Sequence, residues 1–349
     1  MAIRNAAKLD KNFSQDSSIT KDGLKFYDAK ELGVFGLSKI DGIYRRMRLE
    51  DAGRVSENVA LISSESAGGR CRFLTDSCRI AISVKYRSVA KVPNYSYTAT
   101  LGFDLYSNER YVGVFVPPLD TQDTLESVIT VPEDMRGMNS YTLNFPVCSE
   151  VEELYVGVDE GCEIKCATEY SLSRPIVFYG SSTTQGACAS RPGNTYENII
   201  SRALDCDYIN LGFWGNAMGE DAMAEYIASL DMSAFVYDYD YNAPTPEHLG
   251  ATHERMFKII REKNPELPIV ILSMPKYYLD ENDRKRLEII KRTYENALSK
   301  KDKHVAFISG KTMLEGVKDI ALTDNIHPGD VGFSEIAKHV LKKLKDMIF

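Results

Sequence analysis

The sequence predicts a two-domain protein in which a β-rich N-terminal part precedes a C-terminal α/β domain. The chain has 349 residues, 44% of them hydrophobic, and this length exceeds what one domain usually holds. Short β-type segments separated by turns fill about residues 31–170, whereas strands alternate with amphipathic helices from about residue 175 onward. The first pattern is typical of an antiparallel sandwich, and the second of a parallel sheet covered by helices.

The N-terminal domain is predicted to span residues 1–172. Residues 1–30 are polar and weakly patterned, so we expect a lead-in with little core of its own. Runs of β-branched and aromatic residues predict strands over 80–86, 111–116, 140–145 and 153–158. Turn chemistry separates these runs, and no helical period is visible between them. The pattern therefore predicts an antiparallel, jelly-roll-like β-sandwich.

The C-terminal domain is predicted to span residues 173–349. Apolar runs predict strands over 175–179, 207–211, 234–238, 268–273 and 305–308, and amphipathic segments predict helices over 196–204, 220–230, 246–263, 283–300 and 332–347. Strict alternation of strand and helix predicts a three-layer α/β/α domain with a parallel sheet. In such sheets the functional crevice lies outside the carboxyl ends of the strands, and Ser182, Asn216 and Asn242 all follow predicted strand ends.

Composition and charge narrow the class of partner. The formal net charge of −8 and the pI near 5.4 argue against nucleic acid. No window approaches 18 uninterrupted apolar residues and no signal peptide is visible, so we expect a cytoplasmic protein with no membrane partner. Seven scattered cysteines are then expected to be reduced thiols. Cys162 and Cys166 lack the partner pair of a zinc site, so no metal is expected.

The region that follows the first apolar strand of the C-terminal domain carries the candidate nucleophile. Ser182 lies in the small polar turn Gly-Ser-Ser-Thr-Thr-Gln-Gly over residues 180–186. A serine hydroxyl needs a base within hydrogen-bond reach, and His327 differs from the other four histidines because Asp324 precedes it by three residues and Pro328 follows it. This spacing lets the carboxylate hold one ring nitrogen while the other faces the serine, and the proline restricts the backbone at the histidine.

Developing negative charge on a carbonyl oxygen needs donors that are already in place. The backbone N–H groups of Ser182 and Gly215 are the first candidates, and the carboxamide of Asn242 is a third. Trp214 and Asn216 lie beside Gly215 in the sequence, so we expect them to contact substrate. A ring in the protein core is the alternative for Trp214, and its neighbours favour the cleft.

Other interpretations of the same residues stay open. A polar turn after a strand is often only a loop or a helix N-cap, and Asp324 is equally suited to cap the final helix. Asp238 and Asp240 suggest a carboxylate pair for metal or glycosidic chemistry, although a polar strand end explains them as well. The turn over 180–186 lacks the Gly-Lys-[Ser/Thr] ending of a phosphate loop.

Four segments together resemble the blocks of the SGNH (GDSL) hydrolase superfamily. The 180–186 turn resembles its Gly-Asp-Ser block, the Asn-Leu-Gly-Phe-Trp-Gly run over 210–215 its glycine block, Asn242 its asparagine block and Asp-x-x-His-Pro over 324–328 its final block. They occur in the family's order over about 175–349. Upstream, Gly-Phe-Asp-Leu-Tyr over 102–106 is similar to the GxDLY signature of a β domain that precedes a subgroup of these esterases.

The chain departs from the family pattern at two places. Ser181 stands where the family has aspartate, and the third block has Tyr-Asn-Ala in place of Gly-x-Asn-Asp. The first change affects no catalytic group of the family, whereas the second makes Asn242 a weaker match than Ser182.

The resemblance implies a serine esterase that needs no cofactor. Ser182 is then the nucleophile, Asp324 and His327 activate it, and Gly215 and Asn242 complete the oxyanion hole with the Ser182 amide. The implied substrate is a small acyl ester, first of all an acetyl ester, of a polar alcohol such as an oligosaccharide. Alternatives are an acyltransferase or thioesterase that uses the same serine, and a non-catalytic carbohydrate-binding protein with a relict site. A homo-oligomer is possible.

Overall fold

The computed structural model describes residues 23–349. Twelve strands form the N-terminal part of this range: β1 (Leu24–Asp28), β2 (Val34–Phe35), β3 (Ser38–Ile40), β4 (Ile43–Arg45), β5 (Arg70–Thr75), β6 (Arg79–Ser88), β7 (Phe103–Ser107), β8 (Arg110–Phe115), β9 (Thr124–Thr130), β10 (Asn139–Asn144), β11 (Glu150–Asp159) and β12 (Ile164–Cys166). One sheet has the order β1-β11-β6-β9, and another has the order β12-β5-β10-β7-β8 with β2 paired to β5. All these pairs are antiparallel, as the sequence predicts.

The two larger sheets enclose an aromatic core. Phe73, Phe103 and Tyr141 are fully buried and belong to one apolar cluster with Ile82 and Val156 of the opposite sheet. Period-two alternation produces this core, because successive side chains of a strand point to opposite faces of the sheet. In β5 the buried apolar residues of the cluster, Cys71 and Phe73, alternate with arginines.

The N-terminal domain differs from one expectation and contains helices that the sequence did not indicate. The predicted lead-in over 1–30 includes β1, which pairs with β11 as an edge strand and buries Leu24, while its residues 1–22 lie outside the described range. Helices also interrupt the strands: α1 (Ala29–Leu32), α2 (Leu49–Val55), α3 (Glu57–Ile62) and α4 (Tyr97–Thr100). They are seven residues long or shorter, which is too short for a helical period to be visible in the sequence.

The C-terminal part is a parallel sheet between two layers of helices. Its strands are β13 (Leu172–Gly180), β14 (Cys206–Gly212), β15 (Ala234–Asp238), β16 (Ile269–Leu272) and β17 (Val305–Ile308), in the order β14-β13-β15-β16-β17. Its helices are α5 (Ser182–Gln185), α6 (Tyr196–Leu204), α7 (Asp221–Ser229), α8 (Pro246–Lys263), α9 (Glu281–Ser299), α10 (Gly310–Met313) and α11 (Asp330–Ile348). Side chains on one face of β13 pack with α7, α8 and α9, and those on the other face pack with α6 and α11. This confirms the predicted three-layer fold.

A buried aspartate joins the two parts. Asp104 lies in β7 and is fully buried; its Oδ2 accepts hydrogen bonds from Arg191 Nη1 at 2.9 Å and from the Gly193 backbone N–H at 2.8 Å. Its Oδ1 accepts from Asn144 Nδ2 at 2.8 Å. The aspartate of the Gly-Phe-Asp-Leu-Tyr run therefore links the sandwich to the segment that precedes α6. Within residues 23–349 no helix has the length and hydropathy needed to cross a membrane.

Candidate active site

Ser182 is held at the carboxyl edge of the parallel sheet by a very short helix. β13 ends at Gly180, and α5 begins at Ser182, whose neighbour Ser181 caps the helix by accepting a hydrogen bond from the Thr183 N–H at 3.2 Å. Gly186 ends the helix in the left-handed region with φ of 105°, a conformation that favours glycine. The serine that replaces the family's aspartate thus has a local structural role, and Ser182 lies at the start of a rigid turn.

A chain of hydrogen bonds connects the three residues predicted to form the triad. Ser182 Oγ lies 2.9 Å from His327 Nε2, and His327 Nδ1 lies 2.8 Å from Asp324 Oδ2. The other carboxylate oxygen, Asp324 Oδ1, accepts the backbone N–H groups of Ile326 and His327, both at 2.7 Å. With Nδ1–H donating to the carboxylate, Nε2 is the acceptor for the serine proton. Asp324 does not cap the final helix, because Gly329 is the N-cap of α11.

The Asp324 carboxyl group is strongly biased toward its ionised form. Burial by itself raises the pKa of the group, but the hydrogen bonds from the His327 backbone, the His327 ring and the Ile326 backbone outweigh this effect and lower the pKa to about 2. A carboxylate that stays ionised can orient the imidazole and stabilise the imidazolium that forms when the ring takes a proton.

Two residues of the N-terminal domain complete the surroundings of this pair. Asn94 Nδ2 donates to Asp324 Oδ2 at 2.7 Å, and the ring of Tyr95 meets the His327 ring edge-on with centroids 5.8 Å apart. The Cys188 thiol donates to the Asn94 carbonyl at 3.4 Å. Nothing in the sequence around Asn94 indicates this contact, because it depends on how the two domains pack.

One potential ligand atom from each of Cys188, Asp324 and His327 lies within 4.8 Å of the others. The hydrogen bonds already described involve the thiol, the carboxylate and both ring nitrogens of this cluster. Cys162 and Cys166 do not belong to such a cluster in the described part of the chain.

The predicted oxyanion donors lie on the segments beside Ser182. Within residues 23–349 the backbone N–H groups of Ser182 and Gly215 have no hydrogen-bond partner in the protein. Asn242 Nδ2 donates to the Phe213 carbonyl at 2.9 Å, which fixes the carboxamide against the turn that contains Gly215. Because an amide nitrogen carries two N–H groups, the second one stays available to a ligand.

The two predicted substrate contacts, Trp214 and Asn216, differ in how much of each side chain is available to a ligand. Trp214 is 45% exposed, and its ring N–H donates to Glu65 Oε2 at 3.1 Å while its backbone N–H donates to Gln185 Oε1 at 3.2 Å. Asn216 accepts from Asn58 Nδ2 at 3.0 Å and donates to the Trp214 carbonyl at 2.8 Å. The ring of Trp214 is therefore open to a ligand. The amide of Asn216 is held by two hydrogen bonds within the protein, and these leave one of its N–H groups unused.

Glu65 is a residue of the site that sequence reasoning missed. It lies between α3 and β5, and its carboxylate accepts hydrogen bonds from Trp214 Nε1 and from Gln185 Nε2, so it contacts the helix that begins at Ser182. Burial raises the pKa of Glu65 to about 7, although the charge of Arg46 and the two hydrogen bonds act in the opposite direction. No local motif marks this glutamate, and only the packing of the domains reveals it.

Asp238 and Asp240, the other carboxylates considered above, have separate structural partners. Asp238 accepts the Thr184 hydroxyl, and Asp240 Oδ2 accepts the Met274 backbone N–H at 3.1 Å. Both are buried, and burial raises the pKa of Asp238 to about 8 and that of Asp240 to about 6. These contacts support the strand ends beneath the site.

Comparison with known families gives two matches along the chain. A model of the GDSL-like lipase/acylhydrolase family matches residues 173–345, and a model of the GxDLY domain, the N-terminus of Esterase_SGNH_hydro-type proteins, matches residues 10–164. A comparison with curated protein sequences finds no match.

Solved structures resemble both parts of the chain at once. A GDSL-like lipase from Bacteroides ovatus ATCC 8483 is 28% identical with a TM-score of 0.83, over 93% of this chain and 99% of that one. The salicylyl-acyltransferase SsfX3 from a tetracycline biosynthetic pathway is 19% identical with a TM-score of 0.74, over 93% and 98%. An acetyl xylan esterase, Est2A, from the rumen bacterium Butyrivibrio proteoclasticus is 13% identical with a TM-score of 0.58, over 93% and 98%.

The last two structures are too distant in sequence to show more than a shared fold. The two family matches together extend over most of the chain, and they agree with the blocks found in the sequence and with the observed architecture. The chain belongs to the GDSL-like (SGNH) esterase family and carries a GxDLY domain ahead of its hydrolase domain.

Proposed function

We propose that this esterase hydrolyses a small acyl ester, in the first place an acetyl ester of a carbohydrate, through a covalent intermediate on Ser182. The observation that carries the proposal is the hydrogen-bond chain from Ser182 Oγ through the His327 ring to Asp324, with lengths of 2.9 and 2.8 Å. A nucleophile, a base and an orienting carboxylate in contact are the minimum set for acyl transfer to a serine.

In the first half-reaction His327 Nε2 takes the proton from Ser182 as Oγ forms a bond to the ester carbonyl carbon. The N–H groups of Ser182 and Gly215, together with the Asn242 carboxamide, donate hydrogen bonds to the carbonyl oxygen as negative charge develops on it. Loss of one such donor typically costs roughly 3–4 kcal/mol of transition-state stabilisation. The imidazolium then protonates the departing alkoxide, the ester C–O bond breaks and the alcohol leaves.

In the second half-reaction His327 removes a proton from a water molecule whose oxygen attacks the acyl carbon. The tetrahedral intermediate collapses, Ser182 Oγ recovers its proton from the ring and the carboxylic acid is released. Asp324 stays ionised throughout, as its lowered pKa requires.

The chemistry of the surroundings favours a polar alcohol. Trp214 presents an exposed ring, and amphipathic aromatic rings are well suited to cover one face of a sugar. A groove of about 540 Å³ adjoins Asp324 and is also lined by Lys276, Tyr277, Tyr278, Asp319, Leu322 and Asn325. The architectural likeness to an acetyl xylan esterase supports the same substrate class.

Acyl transfer to an alcohol other than water is the second candidate. The fold resembles that of a salicylyl-acyltransferase over 93% of this chain, and the same acyl-enzyme would serve both reactions. The two reactions differ only in the nucleophile that attacks the acyl carbon in the second half.

The proposal is tested by comparing release of p-nitrophenol from p-nitrophenyl acetate, butyrate and octanoate, and release of acetate from acetylated xylo-oligosaccharides. We expect kcat/KM to be highest for acetyl esters and to fall at least about 10³-fold in Ser182→Ala. Ser190→Ala is the matched control, since Ser190 precedes α6 and contacts Asp330 rather than the triad.

Each outcome separates the candidates. Preference for the octanoate ester would contradict the small-acyl assignment, and transesterified product in the presence of an acceptor alcohol would establish acyl transfer. Full activity in Ser182→Ala would contradict the mechanism. Absence of ester or thioester turnover in the wild type would favour a carbohydrate-binding protein.

A further inference from the structure

A second cavity lies between the two domains, and no residue of the Ser-His-Asp arrangement lines it. Its volume is about 230 Å³, which is below the roughly 300–1,000 Å³ that drug-sized ligands occupy but ample for several waters or a small ion. Residues of β5 and β10 form one wall, and residues of α6 form the other. The lining residues are Arg70, Arg72, Asn108, Ser140, Thr142, Asn144, Tyr170, Asn198, Ser201, Arg202 and Asp205.

Strand register explains why this wall is polar. In the antiparallel pair of β5 and β10, Arg70 is opposite Asn144 and Arg72 is opposite Thr142, so these four side chains share one face of the sheet. The other face carries Cys71 and Phe73 into the sandwich core. The sequence of β5 therefore presents two guanidinium groups on the face that meets the hydrolase domain.

The first of these arginines is already neutralised. Arg70 is 1% exposed and forms an ion pair with Asp207. It also donates to the Tyr208 carbonyl at 3.0 Å and to the Tyr170 hydroxyl at 3.1 Å. These contacts assign Arg70 a structural role between the domains.

Arg72 is in a different situation. It is 7% exposed, and its only carboxylate contact in the described chain is to Asp205 at 3.4 Å, whose side chain is 47% exposed. The guanidinium stacks on the Tyr170 ring at 3.8 Å, but its Nε and Nη1 atoms have no hydrogen-bond partner within residues 23–349. A buried N–H group without an acceptor is costly.

Arg202 lines the cavity from α6 and, like Arg72, has a guanidinium N–H group without an acceptor. Its Nη2 donates to the Gly193 carbonyl at 2.8 Å, its guanidinium lies over the Tyr106 ring at 3.9 Å, and its Nη1 lacks a hydrogen-bond partner within the described residues. It forms no ion pair in that part of the chain. Burial lowers the pKa of Arg202, although the charge of Asp104 acts in the opposite direction.

We propose that this cavity is a binding site for a small oxyanion, a phosphate, sulfate or carboxylate group, held between Arg72 of the sandwich and Arg202 of the hydrolase domain. Guanidinium groups are the side chains best matched to planar or tetrahedral oxyanions, because their N–H groups donate in a fixed fork. An anion here supplies acceptors for donors that lack them and connects β5 to α6. The site is independent of the esterase reaction.

The direct test is calorimetric titration of the full chain with inorganic phosphate at constant ionic strength, with sodium chloride as the control salt. We expect saturable binding of one phosphate per chain, and a rise in Tm because a ligand that binds only the folded state stabilises it. Binding should weaken about tenfold or more in Arg72→Gln and in Arg202→Gln. Arg110→Gln is the matched control, because Arg110 is an exposed arginine paired with Asp134.

A second variant tests the site without removing an arginine. Thr142 is directly opposite Arg72 and lines the cavity, so Thr142→Glu places a carboxylate where the anion is proposed. We expect Thr142→Glu to raise Tm in phosphate-free buffer and to abolish phosphate binding, whereas Thr142→Gln, which has the same size and no charge, keeps it.

The remaining outcomes are unambiguous. Absence of saturable phosphate and sulfate binding in the wild type, together with a lowered Tm in Thr142→Glu, would overturn the proposal. Equal phosphate affinity in the wild type, Arg72→Gln and Arg202→Gln would also overturn it, because binding would then be elsewhere. Titration with glucuronate compared with phosphate distinguishes a carboxylate-bearing sugar from an inorganic anion as the preferred source.

Discussion

Glu65 is one of the residues through which the N-terminal domain contacts the helix of the proposed nucleophile. Its carboxylate accepts from Gln185, three residues after Ser182, and from Trp214, next to Gly215. Both sides of the proposed oxyanion hole therefore depend on one side chain from the other domain. Its pKa of about 7 places its change of charge within the working range of most enzymes.

Trp214 is the only tryptophan of the chain, so its emission reports directly on Glu65. We expect the fluorescence of Trp214 to titrate with a midpoint near pH 7, because the acceptor of its ring N–H gains or loses a charge there. In Glu65→Gln this transition should disappear. The measurement is emission intensity and wavelength between pH 5 and 9, with Glu57→Gln, an exposed glutamate of α3, as the control that keeps the transition.

The same shift has a consequence for stability. The pKa of Glu65 is raised from its ordinary value of 4.5 to about 7, so between these values the folded state holds a proton that the unfolded state has lost. This contribution to stability is present below about pH 4.5 and is lost as the pH rises through about 7. Urea unfolding should show a smaller fall in stability from pH 5 to 8 in Glu65→Gln than in the wild type, and an identical fall in both would contradict the assignment.

At the scale of elements, the contact between α5 and β14 determines where Ser182 lies. A Cβ atom at Gly212, the last residue of β14, would lie 2.2 Å from the Gln185 backbone nitrogen and 2.6 Å from the Thr184 carbonyl carbon. Backbone atoms cannot move aside as a flexible side chain can. The glycine block thus permits the helix of the proposed nucleophile to approach the neighbouring strand.

Gly212→Ala is therefore expected to displace α5. We predict destabilisation by about 1–3 kcal/mol and a fall in kcat for p-nitrophenyl acetate, measured by urea unfolding and steady-state kinetics. The control is Gly250→Ala in α8, where a Cβ would meet only Ile289 Cδ1 at 3.9 Å and where alanine should stabilise the helix by up to about 1 kcal/mol. Unchanged stability and kcat in Gly212→Ala would show that α5 does not need this close approach.

The sequence predicted the elements of the hydrolase domain well because their signals are local. The helices Tyr196–Leu204 and Pro246–Lys263 and the strand Ala234–Asp238 have the predicted bounds, since a 3.6-residue period and short apolar runs distinguish them. β5 was not among the predicted strands, although Arg70 and Arg72 alternate with its core residues in the period-two pattern of a strand. Their burial against α6 becomes visible only when the domains are placed together.

Only part of the candidate site could be predicted, because only some of its residues carry a local sequence signal. Ser182 was predicted because it follows a strand end, and Asp324 and His327 because they are three residues apart. The three side chains form a chain of hydrogen bonds in the structure. Their catalytic roles stay predictions. Asn94 and Glu65 carry no such marks. Both lie in loops of the N-terminal domain, and their contacts depend on packing between segments far apart in the sequence.

At the scale of the molecule, the sandwich is part of the site rather than a separate module. Glu65, Asn94 and Tyr95 all come from the N-terminal domain, and Asp104 fixes that domain to the segment before α6 through Arg191 and Gly193. A change that weakens the contact between the domains should therefore also alter the positions of the Ser182, His327 and Asp324 side chains.

Asp104→Ala tests this coupling. Removal of one partner from a buried ion pair typically costs about 3–5 kcal/mol because the other charge is left unpaired, so we predict a lower Tm, separate unfolding of the two domains and reduced esterase activity. Calorimetry and kinetics on the same preparation provide the measurement. Asp134→Ala, at an exposed pair, should change stability by no more than about 0.5 kcal/mol. A normal Tm in Asp104→Ala would show that the domains do not depend on this anchor.

The most direct test of the central claim is covalent labelling of the serine. A fluorophosphonate reacts with an activated serine hydroxyl, and peptide mass spectrometry locates the adduct. We predict that the label is found on Ser182 in the wild type, that the labelling rate falls at least about 10³-fold in His327→Ala, and that Ser182→Ala is not labelled. If Ser182 of the folded wild-type protein takes up no label, or if His327→Ala is labelled as fast as the wild type, the proposed mechanism is contradicted.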